Sequence, residues 1–383
     1  VIADFVNSKK PFDVISFDFQ RAFDKVPHAQ LIEALQDLKL HHTSLRWISS
    51  FLSGRHQQVV LGDSSSAVSP VQSGVVQGSV LGPTFFTAFI DSLLRRLQEL
   101  IPGLSFAFAD DIKFISEATK PASALAQVAI NAVKEWADSH EMLLNIDKSL
   151  VLHCGAKNGR HQYTLGDQPM PAAPHFKDLG VLRSEQRMYG DHVESVSASC
   201  SRLAGMIRRA FRSRDGELLW TAFQTYVIPK VMYASQAWSP LLKYEVAAVE
   251  RVQRHFSKAM YGMALMSYEQ RLEALNANSL EHSRSVADLV LLYRCIHHLC
   301  DFSLEEIGLS LANNNERSGK LRLNQARSQN QSAKFLFKFR GPTQWNALPV
   351  TVTSASSLIQ FKHALTTYFK SLSLCSSADH VFY

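Results

Sequence analysis

Hydrophobic and polar residues alternate with two different periods along the first half of the chain. Short apolar and aromatic runs in segments 14–23, 57–61, 106–115 and 150–152 predict strands. Apolar residues at helical spacing follow Pro27, Ser44, Pro83 and Pro121, and they predict a helix after each of these positions. This irregular alternation favours an α+β fold, with a mainly antiparallel sheet backed by helices, over a doubly wound parallel sheet.

From about Leu182 the pattern becomes almost continuously helical. Asp191 and Asp215 stand where N-caps are expected, and segment 267–270, Ser-Tyr-Glu-Gln, matches a capping box. We therefore expect an α+β part over 1–182, a helical part over 183–266 and a further helical region with a basic tail over 267–383. The run 313–315 of three asparagines is the best candidate for a late linker.

Length and charge narrow the class of protein. A chain of 383 residues with 46% apolar composition is long enough for two or three domains with real cores. Its formal net charge of +6 is unevenly distributed, because the segment 317–378 holds nine Lys or Arg and no Asp or Glu. Such a tail suits the phosphate backbone of a nucleic acid, although a merely solvated surface is the alternative.

Cysteine usage indicates a reducing compartment, and the hydropathy pattern does not resemble that of a membrane protein. The five cysteines are an odd number in a long chain and do not suggest a disulfide framework. No signal-peptide pattern opens the sequence, and Gln224, Pro229, Lys230 and Gln236 interrupt the most apolar stretch. We expect an intracellular protein, in the nucleus, the cytoplasm or both, that does not use a membrane as a partner.

Three aspartates stand inside apolar strand patterns. Asp18 follows a buried-looking run, and Asp110 and Asp111 lie between Phe108 and Ile112. An acid in such a setting needs a partner, and carboxylates brought together repel each other unless a cation neutralises them. Neighbouring residues of a strand point to opposite faces, so the pair at 110 and 111 predicts the tip of a hairpin. A pair of Mg²⁺ ions is the predicted counter-charge, whereas ordinary turn aspartates are the plainer alternative.

A glycine-rich loop separates the two acidic strands. Segment 73–83 reads Ser-Gly-Val-Val-Gln-Gly-Ser-Val-Leu-Gly-Pro, and its three glycines allow the backbone to approach a ligand closely. Pro83 then opens a predicted helix with Phe86, Phe89 and Leu93 on one side. This arrangement is typical of a loop that lies beside a nucleotide.

The order of these motifs resembles the palm of a reverse transcriptase. Segment 17–24 reads Phe-Asp-x-x-x-Ala-Phe-Asp, and the glycine-rich loop and the Phe-Ala-Asp-Asp of segment 108–111 follow it. Later segments, at 145–149, 175–181, 233–240 and 345–349, also resemble this family. The similarity points to polymerases of non-LTR (LINE-like, jockey/CR1-type) retrotransposons. It implies a right-hand polymerase palm with partial fingers, followed by a helical thumb and a helical C-terminal region.

The resemblance implies an RNA-directed DNA polymerase that uses two Mg²⁺ ions, with Mn²⁺ as a possible substitute. Its partners would be an RNA template, a DNA primer or target and deoxynucleoside triphosphates. The implied metal ligands are Asp18, Asp110, Asp111 and the carbonyl of Phe19. Lys148 is a candidate general acid for the pyrophosphate, because an ammonium can neutralise and protonate a developing phosphate charge, but an ordinary surface lysine is the open alternative.

Further residues match substrate-binding positions of the family. The resemblance places Phe23 at the sugar of the incoming nucleotide, Gln77 and Gly78 beside the nucleotide, and Leu179 and Gly180 at the primer terminus. The family commonly has proline where this chain has Val76, which could loosen the turn before Gln77. A cluster of thumb arginines suits a template–primer backbone. These arginines are Arg202, Arg208, Arg209 and Arg212.

Two expectations stay open at the level of sequence. Val1 stands only 17 residues before Asp18, so the resemblance implies that upstream finger segments are missing and that the chain is truncated at its N-terminus. A catalytically inactive remnant that only binds nucleic acid is therefore the main alternative. An intron maturase or a telomerase-like polymerase would share the palm, and a two-metal nuclease could also use three aspartates but would not need Phe23 or the loop around Gln77.

Overall fold

The computed structural model describes residues 1–211, 215–240, 242–312 and 321–375, with the main chain alone from 370. Arg212 and the predicted linker 313–315 lie outside these ranges. The chain divides into two compact units. The first comprises Ile2 and Lys9–Phe176, and the second comprises Val1, Ala3–Ser8 and Lys177–Tyr383. The predicted division of the later part at residue 267 stays a prediction.

Strands and helices segregate along the chain: the long strands lie early, and within the described ranges every element after residue 184 is a helix, apart from isolated bridges. The described strands are β1 (Phe12–Phe17), β2 (His56–Gln57), β3 (Val60–Leu61), β4 (Ser64–Ser65), β5 (Ser69–Pro70), β6 (Ser105–Phe108), β7 (Asp111–Glu117), β8 (Leu150–Cys154), β9 (Thr164–Leu165), β10 (Gln168–Pro169), β11 (His175–Asp178) and β12 (Val181–Ser184). The helices that begin before Lys177 are α1 (Ile2–Ser8), α2 (Ala22–Lys25), α3 (His28–Asp37), α4 (His42–Leu52), α5 (Leu81–Leu100) and α6 (Lys120–Ser139).

Helices dominate the second unit. The described helices that begin after Lys177 are, in chain order, α7 (Gly190–Ala210), α8 (Gly216–Tyr226), α9 (Ile228–Met232), α10 (Ser235–Trp238), α11 (Lys243–Lys258), α12 (Tyr268–Ala274), α13 (Leu280–Ile296), α14 (Gln331–Lys334), α15 (Phe337–Ala347), α16 (Val350–Thr353) and α17 (Leu358–Cys375). An antiparallel sheet with helices in the first unit, and helices in the second, confirm the predicted α+β class. No helix in the described ranges has the length and apolar character that crossing a bilayer requires.

The central element of the first unit is a four-stranded antiparallel sheet in the order β6-β7-β1-β8. Strand β1 pairs with β7 on one side and with β8 on the other. Because side chains alternate between faces, Ile15, Phe17, Ile112 and Phe114 point to the same side, where they are buried in the main core. Helix α5 contributes to this core through residues including Phe86, Phe89 and Leu93, as its sequence pattern predicts.

Two local predictions are wrong, and both errors have a physical reason. The apolar run 57–61 forms no continuous strand, because Gln57 pairs with Ser69 and Val60 with Ser65 as two separate short ladders. Asp191 is not an N-cap: α7 already begins at Gly190, so Asp191 lies in the first turn, where its charge still complements the helix dipole. The predicted cap at Asp215 and the capping box at Ser267 are confirmed.

The short N-terminal helix α1 belongs to the second unit. Ala3 and Val6 pack against Ala333, Leu336 and Phe339. Polar contacts fasten the same helix: Asn330 Nδ2 donates to the carbonyl of Val6 at 2.7 Å, and Lys338 Nζ lies 2.6 Å from Asp4 Oδ1. The chain therefore places its first eight residues on segments that lie more than 300 positions later in sequence.

Candidate active site

Asp18 lies at the end of β1, next to the end of β7 that carries Asp111. The last pair of the β1–β7 ladder joins Phe17 to Ile112, so one further step of the same register sets Asp18 opposite Asp111. Residues that face each other across an antiparallel ladder share a face of the sheet. The Asp18 side chain is 30% exposed, which leaves its carboxylate accessible. The fold thus brings two of the predicted carboxylates to one end of neighbouring strands.

Asp110 lies at the tip of the β6–β7 hairpin, as the Asp-Asp pair predicts. Phe108 pairs with Asp111, so Ala109 and Asp110 form a two-residue turn. Ala109 has a φ of +53°, which alanine rarely adopts and which marks local backbone strain. Hairpin turns of this length require positive φ to match the twist of the strands. The strained turn therefore holds Asp110 directly beside Asp111.

The segment after α6 is fastened to the main chain of Asp18. The N–H of Asn145 donates to the carbonyl of Asp18 at 2.7 Å, and the N–H of Asp18 donates to Ser149 Oγ at 3.3 Å. These bonds hold Lys148 over the site: its Nζ lies 3.8 Å from Asp18 Oδ2, on a side chain that is 69% exposed. Phe19 beside them is buried and packs edge-on against Trp136.

The glycine-rich loop is anchored on α2, the helix that follows Asp18. The N–H of Gly74 donates to the carbonyl of Val26, and the N–H of Val75 donates to the carbonyl of Phe23, both at 2.8 Å. Gly74 has a φ of +91°, and a Cβ there would lie 2.6 Å from the carbonyl oxygen of Asp24. Only glycine allows this close approach of two backbones.

The predicted nucleotide-binding residues lie on these two connected elements. Phe23 is half-buried and stacks on Phe86, with ring centroids 4.6 Å apart. Gln77 is exposed, and its Nε2 donates to Asp24 Oδ1 at 2.7 Å. Gly78 is exposed with a φ of +81°. The structure therefore joins the Phe23 and Gln77 segments through hydrogen bonds, although they stand more than 50 residues apart in sequence.

Leu179 and Gly180 form the turn between β11 and β12. Both have positive φ, +44° and +85°, which is the signature of a type I′ hairpin turn. Tyr233 Oη donates to the carbonyl of Leu179 at 2.8 Å, and the Tyr233 ring lies against Gly180. The turn that carries the predicted primer contact is thus buttressed by a tyrosine of the second unit, to which both residues belong.

Three of the four predicted thumb arginines lie on α7 in the second unit. Arg202, Arg208 and Arg209 are exposed, and the last two stand in the final turn of the helix. Positive charges in that turn complement the negative end of the helix dipole. Arg208 and Arg209 therefore stabilise the helix even without a bound nucleic acid. Arg212 lies outside the described residues, and the role of all four on nucleic acid stays a prediction.

The chemistry of the predicted ligands fits a divalent cation. Carboxylate and carbonyl oxygens are the donors that Mg²⁺ prefers, and Asp18, Asp110 and Asp111 are each at least partly exposed. Within the described ranges, no group of three or more His, Cys, Asp or Glu side chains is arranged as a ready-made metal site. The chemistry of the donors therefore fits Mg²⁺, while their assembly around an ion and the number of ions stay predictions.

Sequence reasoning gave no supporting role to three residues that hold the site in the first unit, nor to a tyrosine that supports the Leu179–Gly180 turn in the second. Ser149, Asp24, Gly74 and Tyr233 each stood within a quoted motif, but their contacts join segments far apart in sequence. Ser73 Oγ, for example, donates to the carbonyl of Asp24 at 3.0 Å. The signal that could have found Gly74 and Asp24 is their fixed place inside the two motifs flanking the site.

Comparison with known proteins identifies the first part of the chain. Residues 5–183 match the family model of the reverse transcriptase (RNA-dependent DNA polymerase). The RNA-directed DNA polymerase from the mobile element jockey of Drosophila funebris is 25% identical over 303 residues, which cover 76% of this chain and 30% of that protein. A retrovirus-related Pol polyprotein from the type-1 retrotransposable element R2 of Popillia japonica is 28% identical over 189 residues, 46% of this chain and 31% of that protein.

Among solved structures, telomerase from Candida tropicalis in complex with a fragment of telomeric RNA aligns with a TM-score of 0.36 and 12% identity, over 72% of this chain and 52% of that one. The chain spans less than a third of the length of the jockey and R2 proteins that it matches. The motifs around Asp18, Gln77 and Asp110 all lie inside the matched segment. Residues 5–183 therefore match the reverse transcriptase family model, and the resemblance to non-LTR retrotransposon polymerases is confirmed.

Proposed function

We propose that this chain copies RNA into DNA by adding deoxynucleotides to the 3′-hydroxyl of a primer. One observation carries the proposal: the β1–β7 ladder ends at the pair Phe17–Ile112, so Asp18 and Asp111 follow at the same end of neighbouring strands, and the helix that follows Asp18 holds the glycine-rich loop. The match of residues 5–183 to the reverse transcriptase family implies dependence on a divalent metal and use of a nucleic-acid template. The identity of the template and the insertion of the product at a chromosomal target are part of the proposal.

The metal site is proposed at the shared end of β1 and β7. Asp18 and Asp110 would be the main ligands, Asp111 would support them, and the carbonyl of Phe19 would complete the set. Two Mg²⁺ ions bound there would activate the primer hydroxyl and stabilise the leaving pyrophosphate. Lys148, whose ammonium lies 3.8 Å from Asp18, would neutralise and protonate that leaving group.

The surrounding residues would bind and orient the substrates. Phe23 would press on the sugar of the incoming nucleotide from its stack on Phe86, and Gln77 and Gly78 would line the nucleotide. The Leu179–Gly180 turn would contact the primer terminus. The arginines of α7 would contact phosphates, which gives affinity without sequence preference. We propose that the protein acts in the nucleus or cytoplasm as part of an element ribonucleoprotein.

Primer extension tests the proposal. The purified chain is given a DNA primer annealed to RNA, the four deoxynucleoside triphosphates and Mg²⁺, and product length is read on a gel. We expect extension that EDTA and Asp110→Asn both abolish, because each removes the bound cation. Asp63→Ala, which removes an exposed turn carboxylate outside the motifs, is the matched control and should leave extension unchanged.

Two results would contradict the proposed activity. Extension by Asp110→Asn at the rate of the unaltered chain would exclude the carboxylate site. Tight binding of the RNA–DNA duplex without extension, measured by fluorescence anisotropy, would favour the alternative of an inactive binding remnant.

A further inference from the structure

Asp24 makes three separate contacts with the glycine-rich loop. Its carboxylate accepts a hydrogen bond from Gln77 at 2.7 Å, and its main-chain carbonyl accepts one from Ser73 at 3.0 Å. Its backbone also forms the wall against which Gly74 packs. Asp24 of α2 therefore contacts the start of the loop, and it also contacts the side chain of Gln77, which is proposed to face the nucleotide.

The contact with Asp24 fixes which way the Gln77 amide points. An ionised carboxylate can only accept hydrogen bonds, so the Gln77 group that faces Asp24 must be the donor Nε2. The carbonyl oxygen Oε1 of the same amide then faces away from Asp24. A free glutamine on an exposed loop would exchange these two orientations and several rotamers, and ordering it on substrate binding would cost conformational entropy.

Other contacts hold the loop on either side of Gln77 but leave its side chain free. The backbone bonds at Gly74 and Val75 anchor the beginning of the loop on α2. Ser79 Oγ donates to the carbonyl of Val76 at 2.8 Å and accepts from the N–H of Gly82 at 3.0 Å, which orders its end. The Asp24 carboxylate is thus the contact that orients the Gln77 side chain itself.

We propose that Asp24 is a positioning residue that pre-orients Gln77 for the incoming nucleotide. The proposal rests on the polymerase function proposed above, since it assigns Gln77 to that substrate. Asp24 itself touches neither the metal ligands nor, in this assignment, the nucleotide. Its contribution is the ordering of one amide before binding, so removing it weakens nucleotide binding more than it slows the chemical step.

The kinetic test compares Asp24→Ala, Asp24→Asn and the control Asp63→Ala in primer extension. We expect Asp24→Ala to raise KM for the deoxynucleotide about tenfold, as loss of one charge-assisted hydrogen bond implies, with kcat changed less than about twofold. Asp24→Asn keeps an acceptor oxygen and should restore KM to within about threefold of the unaltered chain. In a chain that already carries Gln77→Ala, the further substitution Asp24→Ala should not raise KM again, because the two residues act as one pair.

A second measurement reads the loop without requiring polymerisation. Hydrogen–deuterium exchange of peptide 73–80 should be faster in Asp24→Ala than in the unaltered chain, and unchanged in Asp24→Asn and Asp63→Ala. Unchanged KM and unchanged exchange in Asp24→Ala would overturn the proposal. So would a fall in kcat at constant KM, or additive effects of Asp24→Ala and Gln77→Ala.

The two measurements separate the positioning role from the polymerase function. If the unaltered chain fails to extend a primer but exchange in segment 73–80 rises only in Asp24→Ala, the polymerase proposal fails and the ordering of Gln77 stands. If extension proceeds and neither measurement responds to Asp24→Ala, the positioning role fails alone.

Discussion

The two ends of strand β1 each carry an aspartate, and the two carboxylates lie in opposite environments. Asp13, at the start, is fully buried, and its oxygens lie 2.7 Å from His153 Nδ1, 2.8 Å from Asn158 Nδ2 and 2.8 Å from Tyr163 Oη. Asp18, just past the other end, is 30% exposed beside the Lys148 ammonium. An odd separation of five residues places the two side chains on opposite faces of the sheet.

This difference separates a structural acid from a candidate catalytic one. Asp13 is fully buried, and both of its oxygens already contact protein donors, so no ligand can reach its carboxylate. Burial, together with the neighbouring Asp13 carboxylate, raises the pKa of Tyr163, which keeps that hydroxyl protonated and able to donate. Asp18 retains accessible oxygens at a strand end, where a metal and a substrate can reach them. The position of an acidic residue in an apolar strand therefore does not distinguish a structural from a catalytic role until the contacts of its side chain are known.

The sharpest test of the comparison is the substitution Asp18→Asn, which replaces one carboxylate oxygen by an amide nitrogen. We expect Asp18→Asn to reduce primer extension by about 10³-fold or more, since a lost metal contact removes several kcal/mol of transition-state stabilisation. Because the side chain is part-exposed, the free energy of unfolding should change little. Steady-state kinetics and urea unfolding on the same sample measure both. A variant that unfolds more easily but still extends primers would reverse the assignment.

The opposite behaviour is expected at Asp13. Asp13→Ala removes the carboxylate acceptor of the buried His153 and Tyr163 side chains and should lower the free energy of unfolding by about 3–5 kcal/mol. Asp13→Asn keeps one acceptor and should lose less. The control Asp63→Ala should stay within about 0.5 kcal/mol of the unaltered chain, as exposed sites usually do. Denaturant titration followed by circular dichroism gives these values; equal stability of Asp13→Ala and the control would show that the network is unimportant.

A smaller effect is expected where a single hydrogen bond supports the predicted primer contact. Tyr233→Phe removes the bond to the carbonyl of Leu179 but keeps the ring against Gly180, so stability should fall by about 1 kcal/mol. If the turn contacts the primer, the rate of primer dissociation from the complex should rise as well. Tyr261→Phe, at a side chain that is 82% exposed, is the matched control. A change in Tyr261→Phe as large as in Tyr233→Phe would argue against a specific support of the turn.

Much of the fold was predictable because its signals are local. The burial of Phe86, Phe89 and Leu93 on one face of α5 follows from spacing alone, and so do the hairpin tip at Asp110 and the cap at Asp215. The helical character of the second unit follows in the same way. These features depend on neighbours within a few positions, which a sequence displays directly.

The supports of the site were not predictable, because they depend on distant pairs. Nothing near Asp13 in sequence announces His153 or Tyr163, which stand 140 and 150 residues away. The bond between Asp24 and Gln77 likewise spans 53 residues. The site residues themselves came from ordered motifs, whereas the contacts that orient them required the folded chain.

The docking of α1 has a practical consequence for shortening this protein. A version that stops before Gln331 would strip away Ala333, Leu336 and Phe339, leaving Ala3 and Val6 in contact with water, and would also delete the ammonium opposite Asp4. The residues that lead into β1 at Phe12 would then follow a helix that has lost its packing contacts. Removing residues from the C-terminus thus destabilises the N-terminal helix. Shorter versions of the protein are better designed by removing surface hairpins such as 56–70.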